Sequence, residues 1–197
     1  MNNADNLTTA SSPGNKRGTS WRGPILNTGT ARTVQEIRNH YHKLAPHVQY
    51  AVTLQTKLIP HHDALRAEQQ RISLQEDFWH FRRRINYGVF GKASHRKPDR
   101  YSLLILPVIE GLRFSPAGLR TIHHHLGVGN VPADITNGEF GSLVCDAWRK
   151  TRYGQDDINI TPADPGWIIY ITKELEQGHI DCVDWPNACV PHEALHI

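Results

Sequence analysis

The sequence predicts an α+β fold built on an antiparallel sheet, and three observations predict it. Period-two alternation of apolar and polar residues, the mark of a half-buried strand, appears at 48–57 and again at 121–130. Two long stretches, 63–87 and 138–151, instead space their apolar residues by three and four, as helices do. The apolar run 101–109 is separated from 121–130 by one short loop, which makes the two segments an antiparallel hairpin pair.

The elements follow in order. Residues 1–28 are rich in Asn, Ser, Thr and Gly and poor in large apolar groups, which predicts a disordered tail. A single domain is expected over 29–187, followed by a C-terminal tail over 188–197. A helix over 33–44 stops ahead of Pro46. In the strand 48–57, Val48, Tyr50, Val52 and Leu54 alternate with Gln49, Ala51, Thr53 and Gln55. Asp63 then caps a helix reaching Tyr87, with Leu65, Ile72, Phe78, Phe81 and Ile85 as its apolar stripe. A basic loop, 91–100, leads into 101–109. That run is apolar on both faces, as in a central strand, and Glu110 ends it. The loop 111–118 returns the chain to the second alternating strand. The helix 138–151 turns Phe140, Leu143, Val144, Ala147 and Trp148 inward, and 156–161 is a short strand with Ile158 and Ile160 facing the core. Pro162 and Pro165 break the chain before a last helix, 166–176. After the first helix, the order strand, helix, strand, strand, helix, strand is that of a ferredoxin-like, split βαβ sheet. Two helices then cover its apolar face, and the last helix must cross the polar one.

Composition narrows the class. The chain has 197 residues and a net charge of only +3, so no global basic field marks it as a nucleic-acid binder. The charge is uneven, however. Between Arg66 and Arg100 basic residues outnumber acidic ones, with clusters at Arg82, Arg83, Arg84 and at His95, Arg96, Lys97. Such a stripe favours a polyanion. No apolar run approaches a membrane span, and the first thirty residues carry no apolar signal core. Three cysteines without framework spacing fit a reducing compartment, the cytoplasm. The pattern His179-x2-Cys182-x6-Cys189-x2-His192 has the residue types of a zinc site, but its middle gap is shorter than in usual fingers.

The strand 121–130 carries the chemistry. Alternation sends Ile122, His124, Leu126 and Val128 to one face and Thr121, His123, His125 and Gly127 to the other. His123 and His125 therefore stand side by side on the polar face and can offer two nitrogens to one divalent ion. Two imidazoles alone bind weakly, so a third ligand is expected. Glu110, across the hairpin, is the first choice, and Glu174, one helical turn beyond Tyr170, is the alternative. Tyr170 and Lys173 share a helix face at i and i+3. A free phenol has a pKa near 10, so as a nucleophile Tyr170 needs a nearby cation or base. Metal-assisted phosphodiester chemistry unites these residues.

In this order the motifs resemble those of the HUH endonuclease superfamily, the rolling-circle replication initiators with their transposase and relaxase relatives. Thr53-Leu54-Gln55 resembles the family's first motif, His123-His124-His125 its second, and Tyr170-Ile171-Thr172-Lys173 its third. Phe90-Gly91-Lys92, the run from Leu126 to Pro132, Gly166-Trp167 and Asp184-Trp185 are also similar to plasmid and phage replication proteins. The likeness covers about residues 45–187. His124 stands where the family has a bulky apolar residue, and is expected to pack there with one nitrogen satisfied. Gln55 replaces a threonine, and the single tyrosine marks a single-tyrosine member.

The resemblance implies a sequence-specific nicking and joining enzyme for single-stranded DNA that initiates rolling-circle replication of a plasmid or phage. It implies Mg2+ or Mn2+ as cofactor, a 5′-phosphotyrosine intermediate and an origin hairpin beside the nick. Arg82, Arg83, Arg84, Lys92, Arg96 and Lys97 are expected to hold the DNA backbone, and Gly127 to leave room for it beside the metal. No Gly-x4-Gly-Lys-Ser/Thr loop occurs, so unwinding would fall to a host helicase. Two other readings use the same residues: a transposase acting on a genomic hairpin, and a non-catalytic nucleic-acid module on the same fold.

Overall fold

A computed structural model describes residues 28–113 and 121–192. The expected N-terminal tail, apart from Thr28, lies outside the described residues, as do 114–118 of the expected loop and 193–197 of the expected C-terminal tail. The elements are α1 (Thr28–Leu44), β1 (Val48–Thr56), α2 (Ala64–Phe90), α3 (Ala93–Arg96), β2 (Leu104–Glu110), β3 (His123–Gly129), α4 (Asn137–Arg149), β4 (Gly154–Pro162), α5 (Trp167–Ile171) and α6 (Lys173–Glu176). The four strands form one antiparallel sheet in the order β2-β3-β1-β4. The architecture is thus α+β on an open four-stranded sheet. None of the described helices is long and apolar enough to cross a membrane.

Local chemistry explains the boundaries. Asp63 accepts a hydrogen bond from the Arg66 amide and opens α2, as its position suggests. Thr136 opens α4 through a reciprocal capping box with Glu139. That cap starts α4 one residue before the expected Gly138.

The expected last helix is not continuous. The Thr172 hydroxyl donates back to the carbonyls of Ile168 and Ile169, and the chain breaks there into α5 and α6.

Strand alternation divides the core in two. On one face Tyr50, Val52, Leu54, Leu126 and Val128 pack with Phe78, Phe81 and Ile85 of α2 and with Phe140, Val144 and Trp148 of α4. Each such fully buried side chain contributes roughly 1.5–3 kcal/mol. On the other, Leu104, Leu106 and Val108 of β2 meet Val34, Ile37, Tyr41 and Leu44 of α1 and Ile168 and Ile171 of α5. The buried Asp77 carboxylate accepts the amides of Arg152 and Tyr153, both at 2.8 Å, and ties α2 to the turn before β4.

The apolar run in β2 is not a central strand. β2 lies at the end of the sheet order, yet all seven of its residues are buried. Its outer edge pairs with the C-terminal segment, through bridges Ile105 to Cys189 and Val108 to Val183, and α1 covers its second face. A covered edge needs the same two-sided apolarity as an inner strand. The same bridges carry the ordered domain past the expected boundary at 187, because Cys189 exchanges both backbone hydrogen bonds with Ile105.

Candidate metal centre

The hairpin register brings the polar residues together. In β3, His123 lies directly opposite Glu110 of β2, while His125 lies opposite Val108 on one side and Thr53 of β1 on the other. Period-two alternation then points Glu110, His123 and His125 to one face. Their donor atoms all lie within 4.8 Å of one another, and they are the one such cluster of three among the described residues.

The spacing fits a shared cation. His123 Nε2 and His125 Nε2 are 3.1 Å apart, and His125 Nε2 is 2.8 Å from Glu110 Oε2. Ligands at right angles on an ion with bonds of roughly 2.1 Å stand about 3 Å apart. His123 Nε2 is 3.7 Å from the same carboxylate oxygen. The hydrogen bonds behind the rings fit as well. His123 Nδ1 is 3.1 Å from the Thr121 carbonyl, an acceptor only, so Nδ1 is the donor there and Nε2 is the atom left to face the cluster. His125 Nδ1 meets the Thr53 hydroxyl at 2.9 Å, which can fix that ring in the same way. Thr53 thus helps to hold His125 in place.

Electrostatics keep the cluster ready for a cation. Burial pushes the Glu110 carboxyl up. Hydrogen bonds from His123, His125 and Lys173 outweigh it and hold the group well below the usual carboxylate range. For His125 burial is the main influence and lowers its pKa, favouring the neutral ring that a metal requires. Lys173 donates to Glu110 Oε2, so an ammonium neutralises the carboxylate in this state.

Tyr170 stands beside the cluster. Its ring meets His125 edge-on at 5.2 Å between centroids, and the Lys173 ammonium lies 3.7 Å from the tyrosine ring centre. Tyr170 is 46% exposed and so accessible from solvent. Trp167 was not singled out as a site residue, yet it orders the group. It stacks on Tyr170 at 5.3 Å, meets His125 edge-on at 5.4 Å and donates from Nε1 to the Leu126 carbonyl at 2.9 Å. Its spacing of three from Tyr170, at the start of the same helix, is the signal that would have found it.

Other expected residues lie elsewhere. Glu174 accepts from His179 Nδ1 at 2.9 Å and takes no part in the cluster. That contact also occupies one member of the His179–His192 pattern, and Cys182 and Cys189 are free thiols. Gly127 does not leave room for a DNA backbone. A Cβ there would sit 3.3 Å from Ile168 Cδ1 and from the Val48 methyls, so the missing side chain admits α5 onto the strand.

His124 faces the opposite side of the sheet, fully buried, stacked on Phe78 at 4.7 Å and edge-on to Trp148 at 5.6 Å. Neither of its nitrogens has a hydrogen-bond partner, against the expectation of one satisfied, because its neighbours there are aromatic. Burial drives its pKa down to about 3.

The basic residues are not at the cluster. Arg82 Nη1 donates to the Asn187 carbonyl at 3.2 Å and so braces the C-terminal segment. Arg83 and Arg84 line a groove between α2 and α4. Lys92, Arg96 and Lys97 are exposed on the turn beyond α2 and on α3. Comparison with protein-family models, curated proteins and solved structures gives no match for this chain.

Proposed function

We propose that this chain is a metal-dependent, single-stranded DNA nickase and strand transferase that initiates rolling-circle replication. The observation that carries the reading is the convergence of Glu110, His123 and His125 on one strand face, with the exposed Tyr170 ring against His125. The sheet order supports the finer fold reading, a ferredoxin-like split βαβ arrangement in which β1 and β2 flank β3.

Glu110, His123 and His125 would hold a Mg2+ or Mn2+ ion, which when bound supplies Lewis-acid polarisation of the scissile phosphate. Tyr170 Oη attacks the phosphorus and the bond to the 3′ oxygen breaks. The phenol gives up its proton, and the departing 3′ oxygen gains one. The DNA is then joined through its 5′ phosphate to Tyr170. The Lys173 ammonium stabilises negative charge on the phenolate and on the phosphate as the bond forms. Because the phosphodiester linkage is exchanged rather than hydrolysed, reversal rejoins strands without ATP. Trp167 and Thr53 position the tyrosine and His125 rather than react. An origin hairpin and a host helicase are the partners this activity needs.

The test is incubation with a pool of single-stranded oligonucleotides and Mn2+, followed by sequencing of whatever becomes covalently attached. Tyr170→Phe is expected to bind the same DNA and to form no adduct. An adduct that persists in that variant would overturn the assignment of Tyr170.

A further inference from the structure

We propose that the groove between α2 and α4 is a second nucleic-acid site, which takes a single-stranded stretch away from the scissile bond. The proposal rests on the reading above for its choice of DNA, but its geometry is independent of the metal centre. His80, Arg83, Arg84 and Tyr87 fall at the i, i+3, i+4 and i+7 positions of α2, on one side of the helix. The core residues Phe78, Phe81 and Ile85 occupy the other side. With His95 and Lys150 these residues line a cavity of about 540 Å³.

Two features separate this surface from an ordinary solvated helix face. Its guanidinium groups are unspent: among the described residues neither Arg83 nor Arg84 pairs with a carboxylate, and Arg83 instead lies over the Trp79 ring at 4.6 Å. The one acidic group in the lining is Asp146, already bound by Lys150 at 3.1 Å. The aromatic residue of the lining is also open, with Tyr87 50% exposed. Cations without carboxylate partners beside an open tyrosine ring match the two needs of a single strand, backbone neutralisation and base stacking. An acidic peptide would use the charges but not the ring, and a duplex hides its base faces.

The groove floor is fixed by close packing. A Cβ on Gly88 would stand 3.0 Å from Leu143 Cδ2, so the glycine lets α4 close against α2 below the basic rim. Lys92, Arg96 and Lys97, exposed beyond the end of α2, extend the same basic surface. α2 and α4 pack on the sheet face that carries His124 and Leu126, whereas His123 and His125 point to the opposite face. A strand held in the groove therefore cannot be the segment under attack by Tyr170. It is a separate anchor on the same DNA.

The experiment measures binding of a fluorescent oligothymidylate of about twenty nucleotides to the full chain across a salt series. The double variant Arg83→Ala/Arg84→Ala is expected to bind at least about tenfold more weakly at low salt. Its log–log salt slope should be shallower by about 1.4, roughly 0.7 per lost phosphate contact. Tyr87→Ala should weaken binding at every salt without changing the slope. An unchanged thermal midpoint shows that these surface variants fold. Wild-type affinity and slope in the double variant would overturn the proposal, as would a preference of these same residues for blunt duplex over the oligothymidylate. Arginine-dependent binding without any covalent adduct from the wild-type chain would support the groove and refute the nickase reading, so the two failures are distinguishable.

Discussion

Replacing His124 by Leu should stabilise the protein. The imidazole is fully buried, and neither ring nitrogen finds a partner. Each buried polar group left unsatisfied costs about 1–3 kcal/mol relative to its hydrated state. Against that gain stands the loss of the ring contacts with Phe78 and Trp148, worth about 0.5–1.5 kcal/mol. Leucine is close to histidine in volume, so neither a large cavity nor overpacking follows. The net expectation is about 1 kcal/mol of added stability, which for a chain of this size raises Tm by about 2–4 °C. Equilibrium urea denaturation gives the assay, with the midpoint raised and the m-value unchanged. The metal centre should be unaffected, because residue 124 faces the other side of the sheet. A midpoint lowered by the substitution would refute the reasoning, since it would mean that the imidazole is satisfied in the folded protein.

Two further outcomes follow from buried charges. Asp184 is fully buried, and burial raises its pKa to about 6, against hydrogen bonds from Asn187 and Gln75 and the nearby Arg82 and Arg71, which lower it. The folded state then holds a proton that the unfolded chain has already lost, so this contribution is full below about pH 3.8 and disappears as pH rises through 6. The loss is at most about 3 kcal/mol. Asp184→Asn should flatten the stability profile between pH 4 and pH 7, and a thermal-melt series with an unchanged slope would contradict this. Lys173→Met removes the ammonium that shares Glu110 with any incoming cation. Calorimetric titration should show Mn2+ binding several-fold more tightly, about tenfold if the competition is worth 1.4 kcal/mol, while adduct formation slows. Weaker Mn2+ binding would show that Lys173 does not compete for the carboxylate.

Sequence alone determined what local period and spacing control. The alternation of His123, His124 and His125 assigns the outer two to one face and the middle one to the other, and the structure places them so. The short connection from 101–109 to 121–130 predicts the antiparallel pairing that sets Glu110 opposite His123. Asp63 marks the start of α2 because a cap acts within one turn.

What the sequence could not decide depended on groups distant along the chain. The two-sided apolarity of β2 is the same for a central strand and for an edge strand covered by residues 183–189. Gly127 reads as open space until Ile168 arrives against it, and Arg82 reads as a free cation until the Asn187 carbonyl takes its proton donors. Thr136 and Glu139 form a capping box visible at a spacing of three, a local signal that puts the start of α4 one residue ahead of the expected Gly138. The sequence puts Glu110 ahead of Glu174, but only the tertiary structure excludes Glu174 from the cluster, because the bend at Thr172 leaves it to His179 while strand pairing delivers Glu110 to the histidines. Periodicity fixes which face a side chain takes. Only the packing of remote segments fixes what that face meets.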